Sequence, residues 1–173
     1  MMPSPIPLGE AGTCVQGEAM YVIEGGESYG FSAGDGSVLL SPKYTLAMDF
    51  DGKPYAYADG YYIDATGTQL FRAFHYDNGP DYLVEGRRRY IDGDLVGFLD
   101  ECLRVAVPAR FTFAEPFWNG LALVCIGCVV APGGEHRRMV GGQWGAVDRH
   151  GQARIPVEFD EAEARRRIAA LRR

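Results

Sequence analysis

One pattern recurs along this chain and limits what it can fold into. Its clearest copy is Gln143-Trp144-Gly145-Ala146-Val147-Asp148-Arg149-His150-Gly151-Gln152-Ala153-Arg154-Ile155-Pro156-Val157-Glu158-Phe159-Asp160-Glu161-Ala162. Counted from Gly145 as zero, Gly151 lies at offset 6, Ile155 and Pro156 at 10 and 11, Phe159 at 14 and Ala162 at 17. The same ruler laid from Gly97 meets Asp100, Val107, Pro108, Phe111, Ala114 and then Phe117 at offset 20. From Gly30 it meets Gly36, Tyr44, Ala47 and Phe50. A fainter copy from Tyr61 keeps Asp64 and Gly67, but has Arg72 in place of the proline and His75 at the aromatic position.

Inside each copy, glycines sit at short connections, where positive φ is what joining adjacent antiparallel strands requires. Gly34-Asp35-Gly36 is one such turn, between Tyr29-Gly30-Phe31 and Val38-Leu39-Leu40. Each copy reads as about three short strands, too few to bury an apolar face alone, so stacked copies must share a core. Nineteen Tyr and Phe residues with twenty-three glycines agree with short strands and tight turns rather than a helix bundle. The expectation is an all-β fold of about four stacked antiparallel repeats over residues 27–163, within one domain. Residues 1–26 form a lead-in with a possible first strand at Met20-Tyr21-Val22-Ile23.

The fourth copy lacks the second aromatic and has Arg165 there. Instead, Asp160 can cap a helix, Glu161 and Glu163 stand four residues before Arg165 and Arg167, and Ala164, Ile168 and Leu171 make an apolar stripe. A short C-terminal α-helix over residues 160–173 is predicted, covering the end of the last repeat where an open sheet edge would otherwise invite association.

The pattern Gln-Trp-Gly-x-hydrophobic-Asp-x-x-Gly, followed by Ile-Pro, an aromatic and an alanine, resembles the WG (KWG) repeat family. Gln143 to Ala162 carries its first half, with Trp144 and Gly145 in the name positions, and Phe117-Trp118-Asn119-Gly120-Leu121-Ala122-Leu123-Val124 carries its second half. The other copies replace the tryptophan with Tyr29, Gly60 and Val96. The resemblance implies a β-rich interaction scaffold of bacterial type, without shared catalytic residues. Some small proteins of this kind look like immunity proteins, which neutralise a toxin delivered by a neighbouring cell.

The remaining residues give few chemical leads. Cys125-Ile126-Gly127-Cys128 has the spacing of half a zinc site, which His136 or His150 would complete, or of a redox pair, but no second C-x-x-C exists to close a tetrahedron. The four cysteines are expected to be free thiols inside a cytoplasmic protein, because no export signal or basic leader is visible and no apolar run approaches the about eighteen residues of a membrane span. No nucleophile signature or phosphate-cradling loop is present, so no catalytic residue, metal or cofactor is expected. Arg87-Arg88-Arg89 reads as solvated strand or turn charge, not a nucleic-acid contact. Asp64, Asp100 and Asp148 share one offset, where an aspartate entering a turn accepts backbone hydrogen bonds. His75 is assigned to an aromatic core slot and His150 to a turn.

Charge is unevenly distributed: nine acids face two lysines up to Phe71 (2 − 9 = −7), and fifteen arginines face fourteen acids from Arg72 on (15 − 14 = +1). An acidic N-terminal half suits a basic protein partner and disfavours nucleic acid. The expected function is therefore non-catalytic inhibition of a protein partner such as a basic toxin, with a structural or envelope-associated scaffold as the alternative and an enzyme using Cys125, Cys128 and His136 as the third. Candidate partner contacts are Asp49, Asp51 and Asp59 in the acidic half, Glu135, His136, Arg137 and Arg138 in the longest insertion, and Trp118. The repeat favours the core for Trp118; exposed, it becomes an aromatic anchor.

Overall fold

A computed structural model of the protein describes residues 14–134 and 138–172. They fall into two compact units: residues 14–82 with 102–104, and residues 83–101 with 105–172. Both are built of short antiparallel strands, and among the described residues a helix follows the last strand.

In the N-terminal unit, β1 (Tyr21–Gly25), β2 (Ser28–Ser32) and β3 (Val38–Tyr44) form one meander. A second follows: β4 (Ala47–Asp49), β5 (Ala56–Ala58), β6 (Tyr61–Ile63) and β7 (Gln69–Ala73). A small hairpin, β8 (His75–Tyr76) with β9 (Gly79–Pro80), completes it. Met20, Phe31, Ala56, Ala58 and Ile63 pack together at its centre, and the rings of Phe50, Tyr55 and Tyr62 meet one another.

In the C-terminal unit, β10 (Arg88–Asp92), β11 (Leu95–Leu99) and β12 (Val105–Phe111) form a meander. The strands β13 (Phe113–Ala114), β14 (Leu121–Ile126), β15 (Val129–Val130), β16 (Met139–Val140), β17 (Gln143–Asp148) and β18 (Ala153–Phe159) follow. β13, β14, β17 and β18 make a four-stranded sheet, and β15 and β16 pair as a separate hairpin. The helix α1 (Glu161–Leu171) starts at Asp160, whose carboxylate accepts the Glu163 N–H at 2.8 Å. Glu161 pairs with Arg165 and Glu163 with Arg167, as its i, i+4 spacing predicts. Ala164 and Ile168 are buried on the sheet against Leu121, Leu123, Trp144 and Ile155, while Leu171 is half exposed. The helix therefore covers the face of this sheet rather than the open edge for which it was expected.

The strand registers explain the repeat. Tyr29 faces Tyr44 and Phe31 faces Leu40, so Gly30 stands opposite three residues, Ser41, Pro42 and Lys43. Val96 faces Phe111 and Phe98 faces Val107, leaving Gly97 opposite Pro108, Ala109 and Arg110. Trp144 faces Phe159 and Ala146 faces Ile155, leaving Gly145 opposite Pro156, Val157 and Glu158. Each glycine thus faces a bulge of three residues against one, a place in a strand that suits a proline with no N–H to give. The bulged backbone lies where a β-carbon would be. At Gly145 that carbon would sit 2.5 Å from the Ile155 carbonyl oxygen and 2.6 Å from that of Pro156, and at Gly97 2.5 Å from the Val107 carbonyl oxygen. The fainter copy is the control: Tyr61 stands where the glycine would be, and Tyr61 faces Arg72 and Tyr62 faces Phe71 without that bulge.

The turn that follows is also shared. The N–H of Ala33, Asp64 and Asp148 donates to the carbonyl of Ser37, Thr68 and Gln152, and Gly36, Gly67 and Gly151 donate back to Ala33, Asp64 and Asp148. Those three glycines have φ of 88°, 85° and 83°. In the remaining copy the same place is held by Leu103 at φ 57°, and the adjacent Cys102 is bonded to Cys14.

Replacing Gly145 by alanine is expected to cost about 2 kcal/mol, because rigid backbone rather than a movable side chain fills the space. Gly34→Ala, with a negative φ and its nearest neighbour 3.7 Å from the added carbon, should leave the melting temperature nearly unchanged. Thermal unfolding followed by circular dichroism compares the two.

Candidate functional site

Trp118 is where the sequence left two readings, and the structure turns it outward. Its ring-bearing neighbour Phe117 is buried against Phe98, with centroids 4.6 Å apart. Asn119 at φ 50° and Gly120 at φ 82° then reverse the chain, and Trp118 and Leu121 exchange backbone hydrogen bonds at 2.9 and 3.2 Å. Asn-Gly is the pair that a two-residue hairpin turn of this twist selects. Trp118 is left 66% exposed.

The turn is braced from both sides. The Glu85 carboxylate accepts the Gly120 N–H at 2.9 Å, and the Arg172 guanidinium donates to the carbonyls of Trp118 and Leu121. Shallow grooves flank it. One, of about 270 Å³, includes Glu115, Trp118, Leu123, Arg165 and Ile168 in its wall. The other, of about 330 Å³, is lined by Asn119, Gly120, Leu121, Arg154, Leu171 and Arg172. Burial alone would lower the Arg165 pKa, but its ion pairs with Glu115 at 2.6 Å and Glu161 at 3.0 Å outweigh that and hold it above its ordinary value. Glu85 and Arg172 had no functional reading in the sequence; the Glu85-Gly86 pair signals only a turn.

The three acidic candidates are spread out. Asp49 and Asp51 lie at one end of the β4–β5 pair and Asp59 at the other. Asp49 accepts the Val22 N–H of β1 at 2.8 Å, and Asp59 accepts the N–H groups of Thr45 and Leu46 at 3.0 and 2.8 Å. Both carboxylates therefore brace the fold. Asp51, exposed at φ 49°, is the one of the three without such a bond among the described residues. Within the long insertion, Arg138 is exposed, while Glu135, His136 and Arg137 lie outside the described residues.

Several expectations are corrected. The cysteines are not free thiols: Cys14 is bonded to Cys102, and Cys125 to Cys128 with Cα atoms 6.0 Å apart. Gly127 at φ 75° turns the chain tightly enough to bring Cys125 and Cys128 together, and both are buried. Sulfurs bonded to each other are not thiolates, so the zinc half-site does not exist in this state. Arg88 and Arg89 are not solvated but buried in β10, and Arg89 donates to the Ala114 carbonyl at 2.9 Å. Arg87 donates to the Arg149 carbonyl. His75 leaves its assigned core slot and is exposed, its Nε2 sharing a 2.7 Å hydrogen bond with the buried Tyr57 hydroxyl.

The turn aspartates behave as expected where their bonds are described. Asp148 accepts from His150 and Gln152, and Asp64 from the Thr66 and Thr68 N–H groups and the Thr66 hydroxyl.

Set against known proteins, the WG-containing repeat model matches residues 97–127 and 144–164. The chain carries WG-containing repeats. Comparison with curated proteins and with solved structures gives no match. The two matched segments run through β11 to β14 and through β17, β18 and the first turn of α1, so Trp118 lies inside a WG repeat, although Trp144 is the tryptophan of its name.

Asp64 supplies a pH signature for the turn it occupies. Its slight burial raises the carboxyl pKa, but the hydrogen bonds from Thr66, Thr68 and Gly67 outweigh this and leave it below the usual aspartate value. A depressed folded pKa stabilises above the unfolded value of about 4 and is lost as pH falls through the folded one. Asp64→Asn is expected to lower the melting temperature near neutral pH, and the gap to the parent should narrow as melts are repeated down to about pH 3.

Proposed function

We propose that this WG-repeat protein is a non-catalytic binding protein that inhibits a protein partner, a bacterial toxin, by covering its active site. The observation that supports this is Trp118: a large aromatic side chain, 66% exposed, on a stiff turn braced by Glu85 and Arg172. Tryptophans presented on rigid elements supply contact area at little entropic cost and dominate many interfaces. The net charge of −6 favours a basic partner. Asp51, Asp59 and Arg138 are the charged candidates exposed among the described residues, and of these Asp59 is already bonded to the Thr45 and Leu46 N–H groups.

The two disulfides support a second reading and bear on where the protein works. Disulfides persist in oxidising compartments and are rare in the cytoplasm. They therefore favour an oxidising location over the cytoplasmic one expected from the sequence, and with it an envelope-associated interaction scaffold as the alternative function. Inhibition separates the two functions: an inhibitor abolishes the activity of the protein it captures, and a scaffold leaves it intact.

The test is capture from the native host's lysate at low and moderate salt, with mass spectrometry of what is retained. One basic protein in near-equal amount, whose activity falls in the complex, is expected. Trp118→Ala should weaken its binding by at least about tenfold, while Trp118→Phe retains part of the affinity. Unchanged binding by the alanine variant removes Trp118 from the interface. Alkylation of the native-source protein without reductant should modify none of its four cysteines, and all of them after reduction and unfolding.

A further inference from the structure

The N-terminal unit carries a second surface, remote in sequence from Trp118. Three apolar or aromatic side chains stand exposed on it: Met48 at 44%, Tyr76 at 54% and Tyr82 at 58%. They lie close together. The Tyr76 and Tyr82 rings meet edge to face with centroids 6.0 Å apart. The Met48 methyl lies 3.9 Å from where a β-carbon on Gly79 would stand, and Gly79 is the strand partner of Tyr76. Exposed Leu46 continues the patch beside Asp59, whose N–H donates to its carbonyl.

The hairpin presenting Tyr76 turns tightly, and Tyr82 follows two residues after it. Asp77 and Asn78, at φ 55° and 66°, form a two-residue turn between β8 and β9. At its base His75 is tied to Tyr57. A preformed surface of methionine and tyrosine has the composition of a recognition site rather than of ordinary solvated sheet.

Charge names the partner. Residues 14–82 with 102–104 hold four cations and ten carboxylates, 4 − 10 = −6, whereas residues 83–101 with 105–172 hold twelve of each, 12 − 12 = 0. The protein's net negative charge therefore resides in the unit that bears the tyrosines, with Asp77 at the tip of the Tyr76 hairpin and Asp59 exposed beside Leu46. Tyrosine faces attract guanidinium and ammonium groups, and nearby carboxylates hold those groups in place.

We propose that the Met48, Tyr76 and Tyr82 surface docks an arginine- or lysine-rich segment of a protein partner, cationic side chains stacking on the two tyrosines and pairing with Asp77. This rests on the reading of the molecule as a protein-binding one, and adds a second contact surface of defined chemistry to it.

The experiment is calorimetric titration of the full, oxidised protein with an arginine octapeptide at low ionic strength, with a glutamate octapeptide as counter-probe. The arginine peptide binds and the glutamate peptide does not. The double variant Tyr76→Ala/Tyr82→Ala binds the arginine peptide about tenfold more weakly, and Tyr76→Phe/Tyr82→Phe keeps its affinity because the ring faces remain. Should the alanine pair disturb the melt, Asp77→Asn and Met48→Gln replace it and are each expected to weaken binding. Equal affinity of the parent and the tyrosine-to-alanine or replacement variants, or comparable binding of the glutamate peptide, overturns the surface. That outcome leaves capture through Trp118 standing, and loss of the Trp118 effect leaves this one standing, so the two readings fail separately.

Discussion

The structure depends on a place where no β-carbon fits. Gly30, Gly97 and Gly145 each face a strand that loops three residues past one, and the carbonyls of that loop occupy the side-chain direction. The bulge bends and twists the hairpin, and this lets the chain leave one short meander and enter the next. Proline belongs to the same device. Pro42, Pro108 and Pro156 lie in the bulged segment, where a missing N–H breaks no ladder bond. Glycine and proline, eleven or twelve residues apart in sequence, are one structural feature seen from its two strands. The fainter copy lost both, with Tyr61 and Arg72 in their places, and its strands pair without the loop.

This is why the architecture was legible and much of the chemistry was not. Offsets between glycine, proline and aromatic are fixed by backbone geometry, so they survive as a pattern even where the tryptophan has become Tyr29 or Val96. The capping aspartate and the i, i+4 pairs of α1 are local and could be read directly. The Cys14–Cys102 disulfide joins its residues by fold alone: they are 88 residues apart, and no spacing connects them. Buried arginines escape sequence reading for a related cause. Arg89 is buried in β10, where a carbonyl of a distant element, Ala114, accepts its hydrogen bond. That satisfaction is invisible until the strands are in register.

The acidic half shows how composition overstates available charge. Asp49 stands guard at β1 by accepting the Val22 N–H, and Asp59 closes the start of β4 by accepting two more. Short strands leave many N–H groups without ladder partners, and an aspartate in a turn is the smallest side chain that both accepts such a proton and tolerates positive φ. Asp59 does both at once, at φ 46°. A repeat fold made of short strands therefore accumulates carboxylates for architectural reasons. What remains for a partner is the long-range field of the unit and the few acids at hairpin tips.

The two tryptophans carry the same argument to the surface. Trp144 is 3% exposed: it faces Phe159 across β17 and β18, and its indole N–H donates to the Gly141 carbonyl at 2.7 Å. Every atom of it has a use inside the fold. Trp118 sits one residue past a buried phenylalanine, in a chain whose side chains alternate, and so the packing that fixes Phe117 also turns Trp118 outward. Nothing in the repeat requires a tryptophan there, since Val84 closes the neighbouring Glu85-Gly86 turn at the corresponding place. A large aromatic group held on a braced turn, at a position where a small residue serves the fold equally well, is available for contacts outside the molecule, the role proposed for it here.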